Sequence, residues 1–215
     1  MFTARKAKAW ALLLTLVINT GIANTFSSPA TAAETITLSM ADDHDFGYSR
    51  SLFRHWIDAD KDGCNTRFEV LIAEATTKPK VGAGCYLSGG KWKSPYDAKV
   101  FTNPTGLDID HMVPLAEAWR SGAWAWTAAQ RMAYANDLDA SETLVAVTAS
   151  LNRSKGDKDV AHWLPPKSQC KYLANWISVK SRFDLTVDPV ETEFLRTKII
   201  ECNITNVVIQ EVTIN

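Results

Sequence analysis

Four cysteines, Cys64, Cys85, Cys170 and Cys202, constrain this 215-residue chain more than any other feature. No Cys-x-x-Cys pair occurs, and structural zinc sites usually bring their ligands in such close pairs, so zinc is the weaker reading of them. Thiol or disulfide is then a matter of compartment. Residues 1–9 carry Arg5, Lys6 and Lys8 and no acid; an uncharged apolar run follows from Trp10 to Ile18, and the chain then turns small and polar up to Ala32 and Ala33. Basic, apolar and small-residue regions in that order form a secretory signal peptide, with cleavage expected after Ala33 or one residue earlier. The apolar run is shorter than the roughly 20 residues that span a bilayer, which disfavours the alternative of an uncleaved anchor. A secreted protein with an even number of cysteines points to disulfides, and four cysteines allow three pairings. Cys64–Cys85 with Cys170–Cys202 is the expected one, because each pair brackets one local unit. Each bridge is worth about 3 kcal/mol by loop closure.

Arg5, Lys6 and Lys8 are the only charged residues of the first 33, so the remaining 182 residues carry a formal charge of −4 rather than −1. That length suffices for one domain with a real hydrophobic core. A mildly acidic chain lacks the global basic footprint of a nucleic-acid binder; any phosphate binding must come from local clusters. No later segment is apolar enough to span a membrane, and a soluble monomer is expected.

Leu52, Phe53, Trp56 and Ile57 stand at helical spacing, which predicts an amphipathic helix over 49–58, and a second short helix over 68–75 follows an acidic loop. Residues 34–47 read as extended or unstructured. Short strands are expected over 85–102, broken at Gly89-Gly90 and Ser94-Pro95. A strand ends at His111, helices follow over 114–119 and 127–138, and Leu144 to Val147 reads as a buried strand. Loop plus helix over 149–160 and a helical pair over 168–183 and 189–201 complete one α+β domain, 34–215.

The chemistry concentrates in two stretches. In Asp108-Ile109-Asp110-His111-Met112-Val113-Pro114, Asp110 and His111 at a strand end offer a carboxylate for a divalent cation and an imidazole that can activate water. In Asn152-Arg153-Ser154-Lys155, a helix puts Asn152 and Lys155 on one face. The amide oxygen suits Mg²⁺, and Lys155 is expected to face a phosphate.

Residues 108–119, 152–159, Trp163-Leu164-Pro165-Pro166 and the stretch from His55 through Leu71 resemble secreted bacterial HNH endonucleases related to the C-terminal domain of GmrSD-type restriction enzymes. The resemblance implies a ββα-metal (HNH, or His-Me finger) core over 106–166, with a helical cap over 167–203. It also implies a nuclease acting on DNA, with RNA as the alternative. His111 would be the general base. Asp110 and Asn152 would hold Mg²⁺, with Mn²⁺ as the alternative, and Arg153 and Lys155 would bind substrate. Two departures stand out: Glu142-Thr143 occupies the place of the motif's middle Asn, leaving Asn136 or a backbone group to orient the base, and the flanking zinc cysteines are missing.

Upstream, counting Asp58 as position one, carboxylates fall at one, three and five (Asp58, Asp60, Asp62), Gly63 at six and Glu69 at twelve. This is the spacing of an EF-hand calcium loop, with Cys64 at position seven, and it makes 48–76 an EF-hand-like helix-loop-helix segment. An ordinary solvated acidic turn is the bland alternative. His44, His55 and His162 have no partner at ligand spacing and read as structural. Two other functional classes remain: a non-catalytic, calcium-stabilised extracellular binding module, and a hydrolase of some other phosphodiester. The intact Asp110, His111 and Asn152 argue against the first of these.

Overall fold

The computed structural model describes residues 35–211; the expected signal peptide and its cleavage site lie outside the described residues. Strands are β1 Ile36–Met40, β2 Lys80–Val81, β3 Leu87–Ser88, β4 Trp92–Lys93, β5 Val100–Phe101, β6 Leu107–His111, β7 Leu144–Thr148 and β8 Val207–Glu211. Helices are α1 Thr66–Glu74, α2 Leu115–Arg120, α3 Ala128–Ala135, α4 Ala149–Lys155, α5 Gln169–Arg182 and α6 Pro189–Glu201. The class is α+β, as expected. Among the described residues no helix is long and apolar enough to cross a membrane.

The centre is the antiparallel pair β6–β7, with Ile109 opposite Ala146 and Asp110 opposite Val145. Alternation along these strands sorts the side chains onto two faces. Leu107, Ile109, Leu144 and Ala146 pack with Val70 and Leu71 of α1 and with Trp92 in the smaller core, while Val145 and Val147 join Tyr96, Tyr134, Tyr172 and Trp176 in the larger one. Both faces are covered, so every residue of β7 is buried; the run Leu144-Val145-Ala146-Val147 shows no alternation because no face of it meets water. The outer edge of β7 is closed by a side chain rather than by a third strand: Glu74 at the end of α1 accepts a hydrogen bond from Ala146 N at 2.8 Å.

Helix boundaries follow their capping chemistry. Asn65 caps α1 through Phe68 N, a Thr127–Gln130 capping box starts α3, and Asp188 ahead of Pro189 starts α6. Helix α4 stops at Gly156, which sits at φ 60° and ψ −123°, a backbone region that favours glycine. The two bridges are Cys64–Cys85 and Cys170–Cys202, as expected. The first pins the loop before α1 to the segment before β3; the second ties the start of α5 to the end of α6.

Several expectations are corrected. The helix expected over 49–58 shrinks to a single 3-10 turn, Arg50–Leu52. Beyond it the backbone partners are distant ones: Ile57 N donates to Asn136 Oδ1, Ile57 O accepts from Thr66, and Trp56 takes a positive φ of 59°. The apolar residues therefore anchor an irregular strap, and no helix-loop-helix surrounds the acidic loop. The segment after Thr148 begins at once as helix, with its loop following. Residues 36–40, read as extended or unstructured, form a strand paired in parallel with β8, a C-terminal strand that was not foreseen.

Candidate active site

The end of β6, helix α2, helix α4 and the segment His44 to Arg50 enclose a cleft of about 500 Å³. Asp110, His111 and Asn152 all line it, together with His44, Tyr48, Arg50, Trp119, Arg120 and Asp157. The three residues expected to carry chemistry are brought to one place from β6 and α4, although 41 positions separate His111 from Asn152.

Asp110 is buried and half engaged. Its Oδ2 accepts from the Tyr96 hydroxyl in a very short hydrogen bond and from Lys155 Nζ at 2.6 Å. Among the described residues Oδ1 has no hydrogen-bond partner. Burial pushes the carboxyl up from its ordinary value, and the Lys155 charge opposes that. Lys155 is itself fully buried, and burial pushes its ammonium down against the pull of Asp110. Its other donors reach His111 O at 2.9 Å and Met112 O at 2.8 Å. An ammonium has three protons, and all three are used inside the protein. The expectation that Lys155 faces a phosphate is therefore overturned: the side chain lies under the end of β6, holding Asp110 and the turn after His111.

His111 follows Asp110 and so leaves the strand on the opposite side. Its Nε2 lies 3.0 Å from Ala135 O. A carbonyl only accepts, so Nε2 carries the proton and Nδ1 keeps its lone pair. Trp56 and Tyr134 flank the ring at centroid distances of 5.5 and 6.2 Å. Burial pushes the imidazole down to about 3, with further lowering from the charge of Arg50, so the ring is neutral at physiological pH. Of the two candidates for orienting this histidine, a backbone group fills the place. Asn136 acts next door, its Oδ1 accepting from Ile57 N and Thr66 Oγ1 and its Nδ2 donating to Arg54 O and Met132 O. It fastens the strap and the start of α1 to α3.

Asn152 is half-buried, with Nδ2 at 3.5 Å from Asp108 Oδ2, which leaves its amide oxygen without a protein partner among the described residues. Arg153 is 74% exposed and reaches Asp108 at 3.6 Å, so it is free to meet solvent-borne anions. Tyr48, Arg50, Tyr96 and Arg120 were not singled out from sequence. Arg120 is tied down by Glu117 at 2.7 Å, Asp43 at 3.2 Å and Asp157 at 3.4 Å, and braces the cleft wall. Arg50 is exposed, makes no salt bridge among the described residues, and lines the cleft with His111.

In the acidic loop the Asp58, Asp60 and Asp62 carboxylates come within 4.8 Å of one another, as do those of Asp62 and Glu69. Gly63 N donates to Asp58 Oδ2 at 3.1 Å and Cys64 N to Asp62 Oδ1 at 2.7 Å. The Cys64 sulfur is in the expected disulfide, so at position seven of the loop only its backbone carbonyl is available to an ion. His55 donates to or accepts no ligand-like group, its Nδ1 meeting Phe53 O at 2.8 Å, and His162 pairs with Asp159 at 2.8 Å.

Residues 62–198 match the family described as GmrSD restriction endonucleases, C-terminal domain. The chain belongs to that family. It is also similar to an uncharacterized secreted protein of Arthroderma benhamiae, at 42% identity over 158 residues that cover 73% of this chain and 76% of the relative. No solved structure matches it. The family match begins inside the acidic loop at Asp62, spans the β6–β7 pair and α5, and ends within α6. This GmrSD-type domain is thus a nuclease-family protein, and its two disulfides and its secreted relative place it outside the cell. The relative is fungal, so the bacterial setting implied by the resemblance is not carried forward.

Proposed function

We propose that this protein is a secreted endonuclease that hydrolyses phosphodiester bonds of DNA, or of RNA, through an HNH-type ββα-metal core made of β6, β7 and α4. The observation that carries the reading is the convergence of Asp110, His111 and Asn152 on one cleft with two distinct kinds of group: hard oxygen atoms without protein partners, and a neutral imidazole with a fixed tautomer.

A free carboxylate oxygen of Asp110 and the amide oxygen of Asn152 fit a hard divalent cation such as Mg²⁺ or Mn²⁺. Such an ion would stabilise the charge that develops on the phosphate and the leaving oxygen. His111 accepts a proton from the attacking water at Nδ1 while Ala135 O holds Nε2–H, the division of labour that a general base needs. Lys155 and Tyr96 fix Asp110 and favour its ionised form, against the burial that pushes its carboxyl up. Arg50 and the exposed Arg153 supply the local positive charge that the acidic chain lacks globally, and they bind the substrate's phosphates in place of Lys155. The acidic loop is a second, structural site, suited to Ca²⁺ by its oxygen ligands and its Gly63 turn.

The test is incubation of the purified protein with plasmid DNA and with RNA, in Mg²⁺, Mn²⁺ or Ca²⁺ and in excess chelator. Cleavage with a divalent ion, lost in chelator and lost in His111→Ala, is the expected result. Undiminished cleavage in chelator, or no cleavage of either nucleic acid with any of the three ions, overturns the reading.

A further inference from the structure

Large aromatic side chains are exposed at four positions among the described residues: Phe46 at 72%, Tyr86 at 71%, Trp124 at 48% and Tyr48 at 38%. Three of the four cluster at the cleft. His44 is part of the cleft wall and stacks on Trp124, with ring centroids 4.5 Å apart and planes at 15°. The Phe46 ring lies 4.0 Å from the His44 ring. Tyr48 lines the same cleft, two positions before Arg50. The segment is held rigidly: His44 N donates to Arg120 O at 3.0 Å and Trp119 Nε1 to Phe46 O at 2.9 Å. Between Phe46 and Tyr48, Gly47 turns the backbone with φ 80°, and a Cβ there would stand 3.5 Å from the Trp119 ring.

Core packing does not account for Phe46, Tyr48 and Trp124, because each is more than a third exposed and aromatic surface in water is costly; His44 is half-buried beside Phe46 and Trp124. A contiguous exposed apolar patch on a soluble protein marks a binding surface. Here the patch runs into a cleft that also holds the exposed Arg50 and the Asp110–His111 pair. Flat π-faces beside a cation are what an unpaired nucleobase and its phosphate present a use for: the base stacks, the phosphate meets the guanidinium, and neither contact reads sequence. A duplex offers no free base faces to such a surface, because its bases stack on one another.

We propose that Phe46, His44 and Trp124, with Tyr48 and Arg50, form a platform on which unpaired bases of the substrate stack, so that the protein selects single-stranded or locally opened nucleic acid. The inference rests on the nuclease reading above and adds the form of the substrate to it. Strand selection is then a property of the segment before the catalytic core, separate from the hydrolytic groups.

The experiment measures binding and cleavage separately. Binding of a fluorescent single-stranded oligonucleotide and of its duplex is titrated in chelator, where no turnover occurs, for the wild type, Phe46→Ala, Trp124→Ala and Trp124→Phe. The wild type should bind the single strand more tightly, and each alanine variant should lose on the order of tenfold in single-strand affinity with duplex affinity unchanged. Trp124→Phe, which keeps a ring, should retain most of it. Cleavage of both forms is then followed with the activating ion. Equal affinity of wild type and alanine variants for the single strand overturns the platform even if cleavage is normal. Selective loss of single-strand binding without cleavage by any form of the protein keeps the platform and overturns the nuclease reading instead.

Discussion

Lys155 Nζ lies 2.6 Å from Asp110 Oδ2, with the ammonium fully buried and the carboxylate buried at the cleft floor. One buried ammonium thus fixes a carboxylate of the cleft and, through His111 O and Met112 O, the backbone on which the histidine stands. Removing one partner of a buried pair leaves the other uncompensated. Lys155→Met should therefore cost about 3–5 kcal/mol in unfolding free energy and abolish cleavage. Arg153→Ala, at an exposed position, should leave the denaturation midpoint unchanged and raise KM. Urea melts and steady-state kinetics on both variants check this, and equal stability of Lys155→Met and wild type would contradict the buried pairing.

The cleft's two kinds of group separate kinetically. His111→Ala removes a base and no metal ligand, so kcat should fall by about 10²–10⁴ with the metal concentration for half-activation unchanged. Asn152→Ala removes a ligand, so activity should fall and be partly restored at high Mg²⁺. Metal titrations of residual activity distinguish the two, and a His111→Ala enzyme with near-native kcat would remove the histidine from the mechanism.

Glu74 gives a pH dependence of known sign. Burial pushes its carboxyl up to about 7, against the pull of the Ala146 N–H it accepts from. Between the ordinary carboxylate range and about 7 the folded state keeps a proton that the unfolded chain has lost, so this group's contribution makes stability fall as pH rises through that window and then level off. Glu74→Gln keeps an acceptor for Ala146 and cannot ionise. It should be more stable than wild type above pH 7, by about 1–3 kcal/mol, and indistinguishable from it below pH 4.5. Chemical denaturation of both across this range is the measurement; parallel pH profiles would show that Glu74 is not buried in solution.

The acidic loop should bind Ca²⁺ and act on stability alone. Burial and then the charges of Asp62, Asp60 and Asp58 push the Glu69 carboxyl up. Calcium should raise the melting temperature by mass action, and the Asp60→Ala, Glu69→Ala double variant should lose that rise while retaining Mg²⁺-dependent cleavage at low temperature. Calorimetry that detects no calcium binding by the wild type would make the loop an acidic turn.

Both disulfides and the strands β6 and β7 were legible in the sequence, because each rests on local chemistry: paired cysteines around a unit, a motif at a strand end, an apolar run. The pairing of those strands and the grouping of Asp110, His111 and Asn152 followed from the family resemblance. What escaped reading depends on distant partners. Leu52, Phe53, Trp56 and Ile57 carry helical spacing, yet Asn136 and Thr66 take the backbone groups that a helix would need. Lys155 looks like a surface lysine beside Arg153, and only the closure of Tyr96 and Asp110 over α4 makes it a buried one. No spacing rule connects Tyr96 to Asp110 or Glu74 to Ala146. The aromatics at 44–48 were lost in a segment with no periodicity at all.

Strand β1 is held between β8 and Val187, with Val187 N bonded to Ser39 O and Ala41 N to Val187 O. Both neighbours come from the C-terminal part of the chain, whereas the residues just after β1, His44 to Arg50, form one wall of the cleft. The cleft wall is thus anchored twice, through β1 to the C-terminal strand and directly to Arg120 and Trp119. Loss of β8 would leave β1 beside Val187 alone and loosen one side of the cleft, although no residue that lines it had been touched.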